Sequence, residues 1–203
     1  MTEPGLYSRF VDFDTATVYE ASGLDCAVDS RIAAAWRGAR VCGPALTVAG
    51  HPGDNLALHD AVAAQAPPGA VIVADVGGHL AGYWGEMLAE SALARGFQGL
   101  VIDGGVRDIT ELERLGFPVF SRGLSIKRTG KHHRGRLNVP LVLGGVPVNP
   151  GDLVLGDADG LVVLPAESLD SVLLEAHKRR DRERAALPRL REGETTLAVF
   201  GIH

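Results

Sequence analysis

Short apolar runs alternate with segments of helical periodicity along the first part of the chain. Each run is nearly continuous and is bounded by Gly, Pro or Asp, which is typical of strands buried on both faces of a sheet. The segments between the runs carry apolar residues at i, i+4 spacing, as in Trp84, Leu88 and Ala92, and therefore predict helices. The predicted strands are 44–50, 70–75, 99–103 and 118–122, and the predicted helices are 14–21, 55–65, 84–95 and 109–116.

The pattern changes after Val139. The segment 139–165 consists of short β-type runs divided by Gly, Pro, Asn and Asp, without helical periodicity between them. A long helix is predicted from Glu167 to about Leu187, and its basic run 177–184 is interleaved with acidic residues, as on a solvated helix face. The βαβαβαβ order, the β-rich part and the final helix together predict a single α/β domain built in layers.

Composition and charge limit the class of protein. At 203 residues, with 46% hydrophobic and 22% charged residues, the chain is long enough for one substantial core. No apolar run approaches the roughly 20 residues of a membrane-spanning helix, and the N-terminus lacks a signal-peptide pattern. We therefore expect a cytoplasmic protein without a membrane partner. The net charge of −5 argues against nucleic acid as the main partner.

The two cysteines, Cys26 and Cys42, do not have the spacing of a CxxC motif or of a disulfide framework. We interpret both as small buried apolar side chains. No GxSxG elbow is present, and neither cysteine has the sequence context of a nucleophile.

The stretch GEMLAESALARGFQGLVIDGGVRD, residues 85–108, places charged residues where a helix begins and where a strand ends. Ligands of helix-covered sheets bind at the carboxyl ends of strands. The helix start at Gly85 offers N–H groups that favour an anion. Arg107 has a planar fork suited to a carboxylate, and Asp108 has a hard oxygen suited to a divalent cation. The sequence leaves open a structural alternative, in which Asp108 only caps the following helix.

Other polar segments carry weaker signals. The loop 123–133 contains a Gly-Lys pair without the spacing of a phosphate-binding loop, and His132–His133 lack the pattern of a zinc site. His51, His59 and His79 have no i, i+4 partner, and we interpret them as turn or packing residues.

Five segments of the chain resemble the RraA-like family: GPALTVAGHPGDNLALHDA, PPGAVIVADVGG, WGEMLAESALARGFQGLVIDGGVRD, PVFSRG and NVPLVLGGVPVNPGDLVLGDADGLVVLP. This family contains the regulator of ribonuclease activity A and metal-dependent 4-hydroxy-4-methyl-2-oxoglutarate aldolases. The resemblance extends from about Asp12 to the C-terminus. It implies a β/β/α swivelling-type domain, assembly as a homotrimer or hexamer, and an active site between subunits. The C-terminal helix, at about 167–187, would pack at the subunit interface.

The resemblance also implies roles for individual residues. Arg107 would bind the pyruvate portion of the substrate, Asp108 would bind Mg²⁺ or Mn²⁺, and Glu86 would be the acidic member of the catalytic set. The implied substrate-binding residues are Gly85, Glu86, Met87, Leu88, Arg107 and Lys131, with the backbone amides of Met87 and Leu88 directed at the substrate carboxylate. The implied metal-binding residues are Asp108 and, from a neighbouring subunit, Glu183.

Two functions follow as hypotheses. One is a divalent-metal-dependent lyase that releases pyruvate from 4-hydroxy-2-oxo acids, such as 4-hydroxy-4-methyl-2-oxoglutarate, and that decarboxylates oxaloacetate. The alternative is a non-catalytic regulator that binds a ribonuclease or another protein. The complete set of acidic and basic residues favours the enzyme. The same hypothesis assigns supporting positions to Asp103, as the residue that orients Arg107 or a water, and to Tyr83, Trp84, His132 and His133, at the far end of the pocket.

Overall fold

A sheet of eight strands runs through the computed structural model of the chain, which describes residues 4–202. Its strands are β1 (Ala33–Ala34), β2 (Val41–Ala49), β3 (Val71–Asp75), β4 (Gly99–Val106), β5 (Val119–Leu124), β6 (Arg136–Leu137), β9 (Leu153–Gly156) and β10 (Leu161–Leu164). A separate hairpin consists of β7 (Leu141–Leu143) and β8 (Val146–Val148).

Seven α-helices surround the sheet in the described part of the chain. They are α1 (Pro4–Ser8), α2 (Thr15–Ser22), α3 (Leu56–Ala63), α4 (Glu86–Ala94), α5 (Ile109–Leu115), α6 (Leu169–Arg191) and α7 (Thr196–Phe200), and one 3₁₀ turn lies at Ala166–Ser168. No helix within residues 4–202 combines the length and the apolar character needed to cross a membrane.

The central strands are parallel, as the alternating pattern predicted. The order across the sheet is β1-β5-β4-β3-β2-β9-β10, and β6 pairs with β2 beside this path. Strands β2 to β5 pair in parallel and are connected by α3, α4 and α5. Strands β9 and β10 extend the sheet in antiparallel pairing. The helix predicted at 14–21 is present as α2, and Asp14 is its N-cap, because the Asp14 carboxylate accepts from the Thr17 N–H at 2.7 Å.

Several element bounds differ from the sequence-based prediction. β2 begins at Val41, because its first residues pair with β9, more than half the chain later in sequence. β4 continues to Val106, and Trp84 lies ahead of α4 instead of within it, because these two residues form a parallel bridge. These differences arise from contacts between distant segments, which local periodicity does not report. α6 also continues to Arg191, beyond the predicted end.

Apolar side chains form separate clusters on the two faces of the sheet. Helices α3 to α5 cover one face, where Ile72 and Ile102 are fully buried. The β7–β8 hairpin covers the other face, where Leu143 and Val148 join the cluster that contains Val73. A third cluster joins α2 and α6 to β9 and β10. Burial of each such side chain contributes about 1.5–3 kcal/mol, so the three clusters hold the β/β/α layers together. This is the predicted fold class.

Both cysteines are free thiols that pack as apolar side chains. Cys26 is buried in the third cluster, and Cys42 is partly buried against it. Burial raises the pKa of the Cys26 thiol, and it raises the pKa of the Cys42 thiol to about 12. Both thiols are therefore protonated at neutral pH, which agrees with their interpretation as packing residues.

A buried carboxylate ties α2 to the turn between β9 and β10. Asp157 accepts hydrogen bonds from the Thr15 N–H at 2.9 Å, the Thr15 hydroxyl at 2.7 Å and the Asp159 N–H at 3.0 Å. Burial alone would raise the pKa of the Asp157 carboxyl. The hydrogen bonds and the charge of Arg40 outweigh burial and lower the pKa below its ordinary value.

We expect Asp157→Asn to lower the free energy of unfolding at pH 7 by about 1–3 kcal/mol, because an amide cannot accept all the hydrogen bonds that the carboxylate accepts. Because the folded-state pKa is depressed, this contribution is present above the unfolded pKa of about 4 and is lost as the pH falls through the folded value. Urea unfolding at pH 7 and at several pH values below the unfolded pKa measures the difference. Asp159→Asn, an exposed side chain in the same turn, is the control and should change little. A stability gap that did not depend on pH would contradict the assignment.

Candidate functional site

The loop after β3 and the end of β4 lie side by side. Tyr83 N–H donates to the Gly105 carbonyl at 3.1 Å, and Arg107 N–H donates to the Trp84 carbonyl at 2.9 Å. The start of α4 is thereby held against the residues that follow β4. The segments that follow β3 and β4 therefore form one surface. It lies at the carboxyl ends of the strands, where helix-covered sheets bind ligands.

Asp108 joins the two segments through its side chain. Its Oδ2 accepts a hydrogen bond at 3.1 Å from the N–H of Glu86, the first residue of α4. A Cβ on Gly85 would overlap the same oxygen, so this close approach requires glycine at the N-cap of α4. The positive end of the helix dipole favours a carboxylate at this position.

The backbone of Asp108 has a left-handed conformation, with φ 58° and ψ 43°. Within residues 4–202, Asn138 is the only other non-glycine residue with positive φ. This conformation costs an L-residue about 1–2 kcal/mol and is visited most readily by Asp and Asn. Asp108 occupies the N-cap position of α5, but its side chain makes no capping hydrogen bond there and turns to α4 instead. The alternative in which Asp108 only caps its own helix is therefore wrong.

Arg107 and two N–H groups of α4 are open to an anion on this surface. The Arg107 side chain is half-exposed, and its Nε lies 3.7 Å from Asp108 Oδ2. Among residues 4–202, no acceptor is hydrogen-bonded to the N–H of Met87 or Leu88, whereas Asp108 accepts from that of Glu86. A planar anion at this point would meet a guanidinium and the N-terminus of a helix.

The other carboxylates near the surface are paired. Glu86 Oε1 lies 3.2 Å from Arg114 Nη2 on α5. Asp103 forms a close ion pair with Arg122 on β5, and both side chains are largely buried. The expectation that Asp103 orients Arg107 is therefore wrong, because the neighbouring strand supplies an arginine that engages its carboxylate.

The loop 127–136 brings Lys131 toward the same surface. Lys131 Nζ donates to Asn55 Oδ1 at 3.2 Å, and Asn55 Nδ2 donates to the Tyr83 carbonyl at 3.0 Å. Asn55 is buried at the start of α3 and was not identified from the sequence. The available signal was the Gly-Asp-Asn turn between a strand and a helix, a composition typical of caps and turns.

A groove of about 410 Å³ lies between α3 and α4 and includes the start of α4. Burial lowers the pKa of His59 in this groove, and the nearby charge of Lys131 lowers it further. The imidazole of His59 is therefore neutral at pH 7. The groove is lined by His59, Val62, Ala63, Met87, Leu88, Ser91 and Arg95.

Tyr83 and Trp84 are core residues. Trp84 is 1% exposed and stacks on Phe117, with ring centroids 5.7 Å apart. The Tyr83 hydroxyl accepts from Gly53 N–H at 2.5 Å and lies 2.8 Å from His79 Nδ1. The expectation that these two aromatic side chains line the far end of a substrate pocket is wrong, because packing under α4 and α5 takes them into the interior.

Glu183 lies in another part of the molecule. Its Oε1 is 2.9 Å from Arg179 Nε on α6, and Arg179 also pairs with Glu20 on α2. α6 packs in the third cluster, which contains no residue of the Arg107–Asp108 surface. Within the described residues, no group of three or more His, Cys, Asp or Glu side chains is placed to hold a metal ion. A metal site that includes both Asp108 and Glu183 would therefore need two copies of the chain.

Comparisons with known proteins identify the family of the chain. A family model of RraA-like proteins, described as Aldolase/RraA, matches residues 15–163. A Halalkalibacterium halodurans protein provisionally named 4-hydroxy-4-methyl-2-oxoglutarate aldolase is 42% identical over 147 residues, which are 72% of this chain and 70% of that protein.

Solved structures share the fold over nearly the whole chain. An uncharacterised protein from Pseudomonas syringae pv. tomato superposes with a TM-score of 0.85 at 31% identity and covers 98% of both chains. Streptomyces coelicolor RraAS2, described as an unusual member of the RNase ES inhibitor RraA protein family, superposes with a TM-score of 0.77 at 27% identity. That superposition covers 89% of this chain and 94% of RraAS2. The matched segment contains both strand ends and Lys131, and the chain belongs to the RraA-like family of aldolase/RraA proteins.

Proposed function

We propose that this protein is a divalent-metal-dependent lyase that cleaves 4-hydroxy-2-oxo acids, such as 4-hydroxy-4-methyl-2-oxoglutarate, and that also decarboxylates oxaloacetate. The name of the H. halodurans relative supports the aldolase class. The observation that carries the proposal is the placement of Arg107, the Asp108 carboxylate and the open N–H groups of Met87 and Leu88 on one surface. Both reactions release the planar enolate of pyruvate, and these groups are suited to binding such an anion.

The donor set fits Mg²⁺ or Mn²⁺. Oδ1 of Asp108 makes no hydrogen bond or ion pair within residues 4–202, and the side chain is 39% exposed. Mg²⁺ commonly takes one or two protein carboxylates and keeps several waters, so a single carboxylate from this chain is sufficient as a starting ligand. When bound, the ion supplies Lewis acidity toward the 2-oxo group. Asp108 would hold it directly, and Glu183 from a second copy would complete the acidic set.

The side chains and amides of the chain have separable roles in this proposal. Arg107 binds the 2-oxo acid through its guanidinium, and the N–H groups of Met87 and Leu88 bind the substrate carboxylate where the helix dipole adds to the attraction. In the retro-aldol reaction the 4-hydroxyl group gives its proton to water, the C3–C4 bond breaks and C4 becomes a carbonyl, while the electron pair moves through C3 to the 2-oxo oxygen, where Arg107 stabilises the charge. In oxaloacetate the same bond breaks with release of CO2, and in both reactions the enolate takes up a proton to give pyruvate. Lys131 supplies a second cation for the distal carboxylate of a dicarboxylic substrate.

A non-catalytic regulatory function is the second candidate. It is favoured by the similarity to S. coelicolor RraAS2, a member of a family named for inhibition of RNase ES. Release of pyruvate from oxaloacetate, measured with Mg²⁺ and with EDTA, separates the two functions. Metal-dependent release supports the lyase, and no release with Mg²⁺ or Mn²⁺ supports the regulator.

We expect Asp108→Asn to lower kcat/KM for oxaloacetate by at least about a hundredfold, because loss of the charged ligand removes several kcal/mol of charge stabilisation. Asparagine tolerates the left-handed backbone and can still accept from the Glu86 N–H, so the thermal midpoint should stay close to that of the wild type. The control is Glu113→Gln, an exposed carboxylate on α5. Near wild-type turnover with an unchanged Mg²⁺ requirement would remove Asp108 from the metal site.

Arg107→Lys should weaken the binding of oxalate, a planar enolate mimic, by about tenfold or more, because lysine keeps the charge but loses the bidentate fork. Calorimetric titration of oxalate in the presence of Mg²⁺ measures the effect. Arg37→Lys, an exposed arginine ahead of the start of β2, is the matched control. Equal affinities in wild type and Arg107→Lys would show that Arg107 does not bind the ligand.

We further propose a homotrimer or hexamer in which Glu183 acts on the Asp108 site of a neighbouring copy. Mixing inactive Asp108→Asn subunits with inactive Glu183→Ala subunits should then restore activity, since about a quarter of the interfaces would have both intact residues after full exchange. Native mass spectrometry reports whether mixed oligomers form. Glu175→Ala, on the same helix, should be active by itself. Mixed oligomers without activity would disprove the shared site.

A further inference from the structure

We propose that Asp54 is the positioning residue that clamps the loop 130–134 onto the start of α3 and thereby fixes Lys131 beside the candidate site. The clamp itself stands on the geometry of the chain. The consequence for ligand binding rests on the proposed function, because there Lys131 binds the distal carboxylate of the substrate.

The segment that needs holding is strongly basic. The sequence KRTGKHHRGR, residues 127–136, contains five Lys or Arg residues and two histidines but no acidic residue. Such a segment repels itself and tends to extend into solvent unless other contacts hold it. In the structure it crosses the turn that precedes α3. Gly130 N–H donates to the Gly53 carbonyl at 2.7 Å, and Asn55 N–H donates to the Gly130 carbonyl at 3.1 Å.

Asp54 binds both segments with one carboxylate. The residue is 4% exposed. Its Oδ1 accepts from Leu56 N–H at 2.9 Å, at the start of α3, and its Oδ2 accepts from His132 N–H at 2.6 Å, in the loop. Each oxygen therefore serves a different segment, and the contact needs both oxygens as acceptors.

The charge state of Asp54 suits this role. Burial alone would raise the pKa of its carboxyl. Hydrogen bonds from the N–H groups of Leu56, His132 and His133 outweigh burial, together with the charge of His133, and hold the pKa below its ordinary value. The carboxylate is therefore ionised at neutral pH, and its hydrogen bonds have the strength of charge-assisted ones.

The remaining side-chain contacts of the loop are weaker. Arg134 pairs with Asp60 at 2.8 Å, but the arginine side chain is 75% exposed. An ion pair of this kind contributes about 0–1 kcal/mol. His133 stacks on His51 at the surface, with ring centroids 4.5 Å apart. Among the side-chain contacts of the loop, that of Asp54 is the buried and charge-assisted one, and it reinforces the two backbone hydrogen bonds of Gly130.

Docking of the loop determines the position of Lys131. Lys131 is exposed, and from the docked backbone its Nζ donates to Asn55 Oδ1 at 3.2 Å. Asn55 is buried and holds the Tyr83 carbonyl with its other end, just ahead of the start of α4. Release of the loop would leave Arg107 and the α4 amides in place but would free the second cation.

Glycine at position 130 is the other half of the clamp. A Cβ there would lie 2.9 Å from Asp54 Oδ2 and 3.2 Å from His132 Cδ2. Gly130→Ala should therefore push the loop away from Asp54. Asp54→Asn should weaken the same contact by changing the side chain that accepts. Its amide NH2 is a donor, so it cannot accept from the N–H of Leu56 or of His132, whichever it faces.

Trypsin reports the docking directly, because its cleavage sites lie within the loop. We expect cleavage between Lys127 and Arg136 to be about tenfold faster in both Asp54→Asn and Gly130→Ala than in the wild type, as the loss of charge-assisted hydrogen bonds opens the loop. Mass spectrometry identifies the sites, and cleavage within α6 reports the integrity of the whole fold. Asp60→Asn, which removes the exposed carboxylate partner of the same loop, should cleave at the wild-type rate.

Ligand selectivity reports the position of Lys131. With Mg²⁺ present, Asp54→Asn should weaken 2-oxoglutarate, which has a distal carboxylate, about tenfold and should leave oxalate, which has none, unchanged. A general loss of structure would weaken both ligands. Lys131→Met should show the same selectivity, and the double variant Asp54→Asn/Lys131→Met should lose little more than either single variant, because the two residues act in series.

Each outcome decides one part of the proposal. Unchanged cleavage of the loop in folded Asp54→Asn and Gly130→Ala would overturn the clamp. Faster cleavage with unchanged affinity for 2-oxoglutarate would establish the clamp and overturn the positioning of Lys131. If the wild type binds neither oxalate nor 2-oxoglutarate, the proposed function fails and the role of Lys131 with it, while the trypsin comparison still decides the clamp.

Discussion

The contact between the Asp108 carboxylate and the backbone of Gly85 and Glu86 is the constraint on which the candidate site depends. It requires glycine at the N-cap of α4, a left-handed backbone at Asp108 and a strand β4 that continues to Val106. The last two features are not favoured by local sequence preferences, and the contact between the two segments offsets their cost. As a result, helix amides, an arginine and a hard oxygen meet at one point of the surface.

Ion pairing around this point is selective. Asp103 is engaged by Arg122, and Glu86 is engaged by Arg114. Within residues 4–202, the one ion pair of Arg107 is the longer contact with Asp108, its neighbour in sequence, so its guanidinium stays available for a ligand. The strands and helices that build the core thus also supply the arginines that pair with Asp103 and Glu86. Without them these carboxylates would compete with a bound anion for Arg107.

Local periodicity was sufficient to predict the parallel centre of the sheet, because its strands are buried on both faces and its helices have one apolar side. It also placed Arg107 and Asp108 at a strand exit. It could not show that Trp84 is buried against Phe117, since the apolar stripe of the predicted helix 84–95 looks the same whether a tryptophan faces a pocket or the core. Nor could it show the contact of Asp54 with His132, because these residues are 78 positions apart and only the fold brings them together.

Strand β2 pairs with β3, β6 and β9, and its pairing with β9 has a consequence for the time course of folding. Its second half, residues 45–49, pairs with β3. Its first half, residues 41–44, pairs with β9, which is synthesised when most of the chain has already been made. Closure of the sheet over so long a connection is intrinsically slow, because the entropy of the connecting chain must be lost before the contact forms. During that interval the edge of β2 is open to other strands. Pro44 lies in the first half of β2 and has no N–H to donate. The exposed edge of β2 is therefore a poor template for pairing with a second chain before β9 is in place.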